Sequence, residues 1–572
     1  MTREIAFGGD TMRTITDDLV IVLAGEAGQG IQSIESILTQ LLKRSGYNYS
    51  SASEFMSRVR GGANSTAIRV SARRAAGFLD RIDILIPLHK EAIPHLGNRI
   101  TPETIVIGEK DKIGHPGMVD IQFTRIATEI GNAVYANTVA AGFLCGLLKV
   151  DEKLCADYLR EYFAKKSEET RSKNVEAMAR GYAAGKGLAE IDIKIEKSAS
   201  PQADLLLSGS EAIALGALAA GCDYVCGYPM SPATAVLEKM ASYSRKFDII
   251  VEQVEDEVGV VNMALGAWYA GARALVTTSG GGFALMGEGV SLCGMIESPL
   301  VLHLAQRPGP ATGLPTRTEQ GDLDMVLHAG HGDFPRIILA PGTFAQGFAL
   351  TQKAFNLSAR YQVPVFILTD QFFVDSRCNT PAFAVADLKI EKHIVRTEKG
   401  YKRFSLTENG ISPRGIPGNG SGNVCVDSDE HDEGGTITED LELRTRMVDK
   451  RRKKMAALRA EVIPPERLGP ADYRTLVVCW GSTLNTVAEA VAGLDRKDIA
   501  VLHFSWLYPL AENTGEYLKK AAKIIVVENN SSAPFARLLT LATGQAIDCN
   551  VLKYNGLPFS VAEVQKEIQK FI

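Results

Sequence analysis

The sequence predicts an α/β protein of three doubly wound domains, with a long irregular insertion before the last. Three observations lead there. Apolar runs of strand length recur along the chain and alternate with segments of helical spacing. Gly- or Pro-bearing turns close several of those runs, as strand-to-helix turns do. One stretch, 376–465, breaks the alternation.

The first domain spans 15–195. It opens on LVIVLA (19–24), a run the length of a buried strand. The turn GEAGQG (25–30) follows, then a helical pattern through Leu41 and Leu42. IDILIP (82–87) and ETIVIG (103–108) read as short strands, and 151–187 as charged, Ala-rich helix. A polar stretch, 196–204, marks a linker.

The second domain spans 205–375. Its strands read as YVCGYP, IIVEQ, ALVTTS, LVLHLA, RIILA and VPVFILTD, with helical patterns between them, so a mostly parallel sheet covered on both faces is expected. The segment 376–465 holds SPRGIPGNGSGN, the acidic run DSDEHDEGG and a basic helix around Lys450 to Lys454. It reads as an excursion packed on other domains or on a partner. From 468 to 572 the alternation returns with TLVVCW, IAVLHF and KIIVVEN.

The formal net charge of −5 gives no basic surplus for phosphates, so nucleic acid is not expected as a partner. No apolar run approaches the roughly 20 residues of a membrane span. The first residues lack the basic-then-apolar order of a signal peptide, so a cytoplasmic protein is expected. The nine cysteines are scattered and form no Cys-x-x-Cys pair. They fit neither a zinc nor an iron–sulfur site, and no metal site is expected in this chain.

The most informative stretch is EDEVGVVNMALGAWYAGARALVTTSGGG (255–282). A carboxylate opens a helix, a small-residue region follows, then a strand, then the tight turn at Ser279 and Gly280. By itself a carboxylate there simply complements the helix dipole. Glu255, Asp256 and Glu257 all compete, and the nine-residue spacing to Gly266 selects Glu257.

Taken together, Glu257, Gly266, the Gly-Ala-Arg at 271–273 and the Ser279-Gly280 turn resemble the pyrimidine-binding domain of thiamine-diphosphate enzymes. The resemblance implies that Glu257 hydrogen-bonds the aminopyrimidine ring and favours the tautomer that activates the cofactor. Ser279 and Gly280 would lie beside that ring.

GYPMSPAT (227–234) is similar to the Tyr-Pro-Ile-Thr-Pro motif of 2-oxoacid:ferredoxin oxidoreductases, with Met230 and Ser231 in place of Ile and Thr. This implies that Tyr228, Pro229 and Ser231 sit over the substrate. RPGPATGLPTRTEQGDL (307–323) resembles another segment of that family. Arg307 ends an apolar strand, where open α/β sheets bind ligands, and its guanidinium can grip a carboxylate. Thr316 would add a hydroxyl. The plainer reading of Arg307 is an interface salt bridge.

GEAGQG follows a strand and opens a helix, and backbone amides of such a turn can cradle anions. Its glycine order is not the dinucleotide fingerprint, so NAD is disfavoured. With Arg58 and Arg60 in SRVRGGANS (57–65), it looks like the gamma domain of the same oxidoreductases. The resemblance implies a CoA role for Gly25, Gly28, Gly30, Arg58 and Arg60; a plain turn with two surface arginines is the alternative. The fourth segment looks like a transketolase C-terminal domain.

The resemblance covers nearly the whole chain, in the order gamma, pyrimidine-binding, transketolase C-terminal-like. It implies the alpha subunit of a CoA-dependent 2-oxoacid:ferredoxin oxidoreductase, of the type that converts 2-oxoglutarate to succinyl-CoA. No Gly-Asp-Gly diphosphate motif and no cluster cysteines occur. The resemblance assigns Mg2+ and a 4Fe-4S cluster to a separate beta subunit, in an (alpha-beta)2 complex that passes electrons to ferredoxin. Alternatives are an enzyme for pyruvate or branched 2-oxoacids, a non-oxidative thiamine-dependent acyltransferase subunit, and a non-catalytic CoA-binding regulatory protein.

Overall fold

The central strands of this protein are buried on both faces, and the described residues form three large sheets around them beside a two-stranded pair, Arg13–Ile15 with Ile191–Ile193. The computed structural model describes residues 13–56, 62–75, 77–188 and 191–572. The chain divides into one unit of Met1–Leu207 with Ser376–Ala382, and a second of Ser208–Asp375 with Phe383–Ile572. The α/β class read from the sequence is the one observed.

In the first unit, strand Asp18–Glu26 is central to an eight-stranded sheet. On one side it pairs in parallel with Ile84–Pro87, and Ile105–Gly108 and Val119–Asp120 continue that half in parallel. The other half is antiparallel: Ala63–Ser71 pairs with Asp18–Glu26, Asn48–Glu54 with Ala63–Ser71, and Arg377–Thr380 with Asn48–Glu54. The sheet is thus mixed rather than wholly parallel. The connection from Glu54 to Ala63 is shorter than the dozen or so residues that a parallel crossover needs. Their sequences, NYSSASE and ANSTAIRVS, are too polar to stand out as apolar runs.

Helices Ala136–Leu147 and Glu168–Lys186 pack against each other backbone to backbone. A Cβ on Gly142 would fall 2.3 Å from the Met178 carbonyl, and one on Gly181 2.1 Å from that of Val139. Only glycine permits that approach.

The second unit holds two sheets. The seven-stranded one runs Ile250–Gln253, Tyr224–Gly227, Ala274–Thr278, Leu300–Gln306, Pro364–Asp370, Ile337–Leu339, Trp506–Tyr508. All its pairings are parallel except the last, Ile338 against Tyr508. The C-terminal segment thus adds an edge strand to the preceding sheet. Its own five-stranded sheet is parallel except for the edge strand Glu466–Leu468.

Between Phe383 and Asp440 the described backbone makes only two isolated bridges. Buried cations fasten this excursion to its own unit. Arg273 donates to the Glu391 carbonyl and to Asn356 Oδ1, both at 2.8 Å. Arg403 donates to the Glu297 carbonyl at 2.7 Å, and Arg414 to that of Trp268 at 3.1 Å. Two glutamates and the histidine of the acidic run are engaged internally. Glu430 pairs with Arg444 and Arg451, Glu433 with Lys402, and the buried His431 ring stacks on Phe404. No helix among the described residues is long and apolar enough to cross a membrane.

Candidate functional site

Ser279 lies just beyond the C-terminal end of strand Ala274–Thr278, the edge where open α/β sheets bind ligands, and Gly280 opens the short helix Gly280–Leu285 rather than a plain turn. The three glycines of that helix each face a different element. A Cβ on Gly282 would stand 2.5 Å from Glu257 Oε1, and one on Gly280 2.5 Å from both carboxyl oxygens of Asp322. At Gly281 the nearest atoms are the Ala311 carbonyl at 3.4 Å and Met230 Sδ at 4.0 Å. Three motifs distant in sequence therefore converge on these glycines, and a side chain at Gly280 or Gly282 would displace the carboxylate it faces.

Glu257 is the first residue of helix Glu257–Ala270. Asp256 caps that helix, accepting the Gly259 amide at 2.7 Å, and Glu255 is exposed. Of the three competing carboxylates only Glu257 is buried, at 4% exposure. Its Oε1 is buried with no hydrogen-bond partner, and so is Ser279 Oγ. Such orphans cost about 1–3 kcal/mol each unless a ligand satisfies them. Both fit the aminopyrimidine end of thiamine diphosphate, which offers a ring nitrogen and an exocyclic amine to a carboxylate and a hydroxyl.

Arg307 follows strand Leu300–Gln306 and donates to the Ser231 carbonyl at 2.6 Å. This bond joins the 227–234 and 307–323 motifs. Its Nε is buried without a partner, leaving a donor for an incoming carboxylate. Burial lowers the Arg307 guanidinium from its usual range, and the nearby Asp322 opposes that shift. Thr316 is buried further along the same loop. Tyr228 and Pro229 are exposed, Tyr228 at 40%.

Two residues of this loop escaped the sequence reading. Asp322 accepts nothing at its Oδ2, which is buried, and burial together with Glu319 pushes its acid up to about 7. Gln320 is fully buried and bonded to the C-terminal segment. The signal was the string TEQGDL, whose polar residues read as ordinary loop. His303, by contrast, bridges Thr277 Oγ1 at 2.9 Å and Thr369 Oγ1 at 2.8 Å inside the sheet, a structural role.

In the first unit a cleft of about 470 Å³ is lined by residues that include Gly28, Gly30, Ile31, Ser33 and Thr66. Gly28 and Gly30 both take positive φ, and Gly30 caps helix Ile31–Arg44. The free amides of that helix's first turn therefore lie at the cleft. Gly25 is the next-to-last residue of the preceding strand, close to Gln29. Arg58 and Arg60 lie outside the described residues. Among the described residues, no group of three or more His, Cys, Asp or Glu side chains is placed to hold a metal ion.

Comparisons with known proteins identify the family. Residues 215–450 match the family described as pyruvate flavodoxin/ferredoxin oxidoreductase, thiamine diphosphate-binding. Residues 20–184 match pyruvate ferredoxin/flavodoxin oxidoreductase. A 2-oxoacid:ferredoxin oxidoreductase subunit alpha of a Sulfolobus species is 29% identical over 96% of each chain. The 2-oxoglutarate synthase subunit KorA of Methanocaldococcus jannaschii is 32% identical, matching 57% of this chain and 88% of its own. The solved 2-oxoglutarate:ferredoxin oxidoreductase of Magnetococcus marinus, with 2-oxoglutarate, coenzyme A and succinyl-CoA bound, superposes with a TM-score of 0.90. That match has 28% identity and covers 97% of this chain and 100% of the other. On these grounds the chain belongs to the alpha-subunit family of the 2-oxoacid:ferredoxin oxidoreductases.

Proposed function

We propose that this alpha subunit serves the oxidative decarboxylation of 2-oxoglutarate to succinyl-CoA, with electrons passed to ferredoxin. The observation that carries this reading is the meeting at residues 279–282 of Glu257, of Met230 beside Ser231, and of Ala311 and Asp322 from the loop that Arg307 opens. A buried, unpartnered carboxylate would then serve the cofactor ring and a cation the substrate carboxylate. The Magnetococcus marinus enzyme, similar over the full chain, supports 2-oxoglutarate as substrate.

Bound thiamine diphosphate supplies the carbon nucleophile and electron sink that the amino acids lack. Glu257 would hold the aminopyrimidine through Oε1 and keep a proton on its ring nitrogen. Arg307, already fixed by the Ser231 carbonyl, would grip the 2-oxoacid carboxylate, with Ser231 and Thr316 offering hydroxyls. Ser279 and Gly280 would border the ring. Gly28 and Gly30 would present amides to CoA phosphate in the cleft of the first unit, with Gly25 setting the turn and Arg58 and Arg60 adding charge.

A beta subunit would complete the site, bringing Mg2+, the diphosphate contacts and a 4Fe-4S cluster. The exposed residues Val258 and Met263 on the Glu257 helix, and Leu285 at the end of helix Gly280–Leu285, support a partner near these helices. Gly266, with open space where a Cβ would stand, lets a neighbour approach the Glu257 helix closely. An (alpha-beta)2 complex in the cytoplasm is the assembly we favour.

The test is to purify the native complex and follow viologen reduction with CoA across 2-oxoglutarate, pyruvate and branched 2-oxoacids. 2-Oxoglutarate should give the highest kcat/KM, and Glu257→Ala should lower kcat by about a hundredfold or more while the complex stays assembled. Preference for another 2-oxoacid would replace the substrate; near-normal turnover in Glu257→Ala would remove Glu257 from the chemistry.

A further inference from the structure

Asp322 occupies the N-cap position of the short helix Leu323–Leu327, yet its carboxyl makes no capping hydrogen bond. The ordinary reason for an aspartate there is therefore missing. Its amide donates to Gln306 Oε1 at 3.0 Å, and Gln306 in turn donates to the Thr369 carbonyl at 3.1 Å. The residue is thus fixed beside Arg307, which Gln306 directly precedes.

Both Asp322 oxygens lie against Gly280, where a Cβ would come within 2.5 Å of each. Oδ2 is buried and has no partner. An ionised oxygen in that state would carry a large desolvation cost, whereas a protonated one is a donor waiting for an acceptor. The charged groups facing it are Arg307 from the strand end and Glu319 from its own loop. Across the turn, at Gly282, stands Glu257. Asp324, on the same short helix, is engaged by Arg537.

We infer that Asp322 contacts the substrate as a neutral acid, donating its Oδ2 proton as a hydrogen bond to an oxygen of the 2-oxoacid held by Arg307. The inference rests on the substrate reading above. It adds a residue that senses the substrate's charge: the acid form donates to the anion, whereas the carboxylate form repels it and competes for Arg307. Burial and Glu319 raise the acid to about 7, so both forms are within reach near neutral pH. No proton is transferred; the O–H bond stays intact.

The probe is a phosphonate monoester analogue of 2-oxoglutarate, whose phosphonate charge is fixed near neutrality. Its Kd would be measured calorimetrically on the thiamine-loaded complex from about pH 6 to about pH 9. In the wild type, affinity should hold at low pH and then fall about tenfold per pH unit above the Asp322 midpoint, as one lost proton requires. Asp322→Asn, which keeps a donor and cannot ionise, should bind within a few-fold of the wild-type acid plateau at every pH. Asp322→Ala should bind weakly and without that pH dependence. If the pH dependence survives in Asp322→Asn, or if both variants change only melting temperature, Asp322 is not the group. If the wild-type complex takes up thiamine diphosphate but binds no analogue at any pH, the substrate reading falls, and this inference with it.

Discussion

Gln320 and Asn529, 209 positions apart, exchange two hydrogen bonds. The Gln320 amide donates to the Asn529 carbonyl at 2.7 Å, and the Asn529 amide donates to Gln320 Oε1 at 3.0 Å. Gln320 Nε2 also donates to the Trp480 carbonyl at 2.9 Å, and Asn530 Nδ2 donates to the Gln320 carbonyl at 3.1 Å. The C-terminal sheet thereby pins the loop that carries Arg307, Thr316 and Asp322. Asn529 and Asn530, directly after strand Lys523–Glu528, thus clamp the 307–323 loop.

Gln320→Ala should break that clamp. The Asn529 amide would lose its partner in a buried setting, at about 1–3 kcal/mol, whereas the Trp480 carbonyl would keep the Thr483 hydroxyl at 2.7 Å. We expect a lower Tm, and a lower kcat/KM for the 2-oxoacid, with thiamine diphosphate affinity little changed. An unaltered kcat/KM beside a lowered Tm would make the clamp purely structural.

Gly282→Ala tests the cofactor end separately. The added methyl would stand 2.4 Å from Thr278 Oγ1 and 2.5 Å from Glu257 Oε1. Moving Glu257 by a few tenths of an ångström should weaken thiamine diphosphate roughly tenfold, ~1.4 kcal/mol. Titration calorimetry on the purified complex reads this directly; an unchanged Kd would separate the turn from the cofactor.

Local pattern and long-range contact were unequally legible in the sequence. Buried strands such as LVLHLA announce themselves because parallel strands covered on both faces are continuously apolar. Asn48–Glu54 and Ala63–Ser71 did not, because their polar residues hide a period of two. At the site, Glu257 stood out by its spacing to Gly266, and Arg307 by its place at a strand end. Gln320 and Asp322 did not, because their roles depend on Asn529, Trp480 and Gly280, which no local window contains. The same holds for the acidic run 427–433. Its charges look solvated until Arg444, Arg451 and Lys402 are brought against them.

Glu297 should decide the stability of the excursion. Lys450 and Lys454 each place Nζ 2.5 Å from its carboxylate, and all three side chains are 1% exposed. Removing the acid leaves two buried ammonium groups unpaired, so Glu297→Ala should cost roughly 3–5 kcal/mol. The lysines hold the Glu297 carboxyl far below its ordinary value of 4.5. A depressed carboxyl stabilises fully above that ordinary value, and its contribution is lost as pH falls towards the folded one. Thermal melts between about pH 5 and about pH 3 should therefore steepen in the wild type relative to Glu297→Gln. Parallel curves would show that other carboxylates govern the acid limb.

The cleft of the first unit yields a prediction whose two readouts move in opposite directions. Ser33 is exposed, lines the cleft and lies in the first turn of helix Ile31–Arg44, which has no acidic residue there. An aspartate at this position complements the helix dipole and should raise stability slightly, by about 0.3–1 kcal/mol. The same charge faces whatever anion the first-turn amides would hold. If that anion is a CoA phosphate, Ser33→Asp should raise KM for CoA about tenfold or more while Tm stays level or rises. The effect should shrink with added salt, since the site is open to solvent. A variant that loses Tm and CoA affinity together would have distorted the turn. One that gains Tm with an unchanged KM for CoA would place the phosphates elsewhere and leave Gly28 and Gly30 as a turn that serves only the fold.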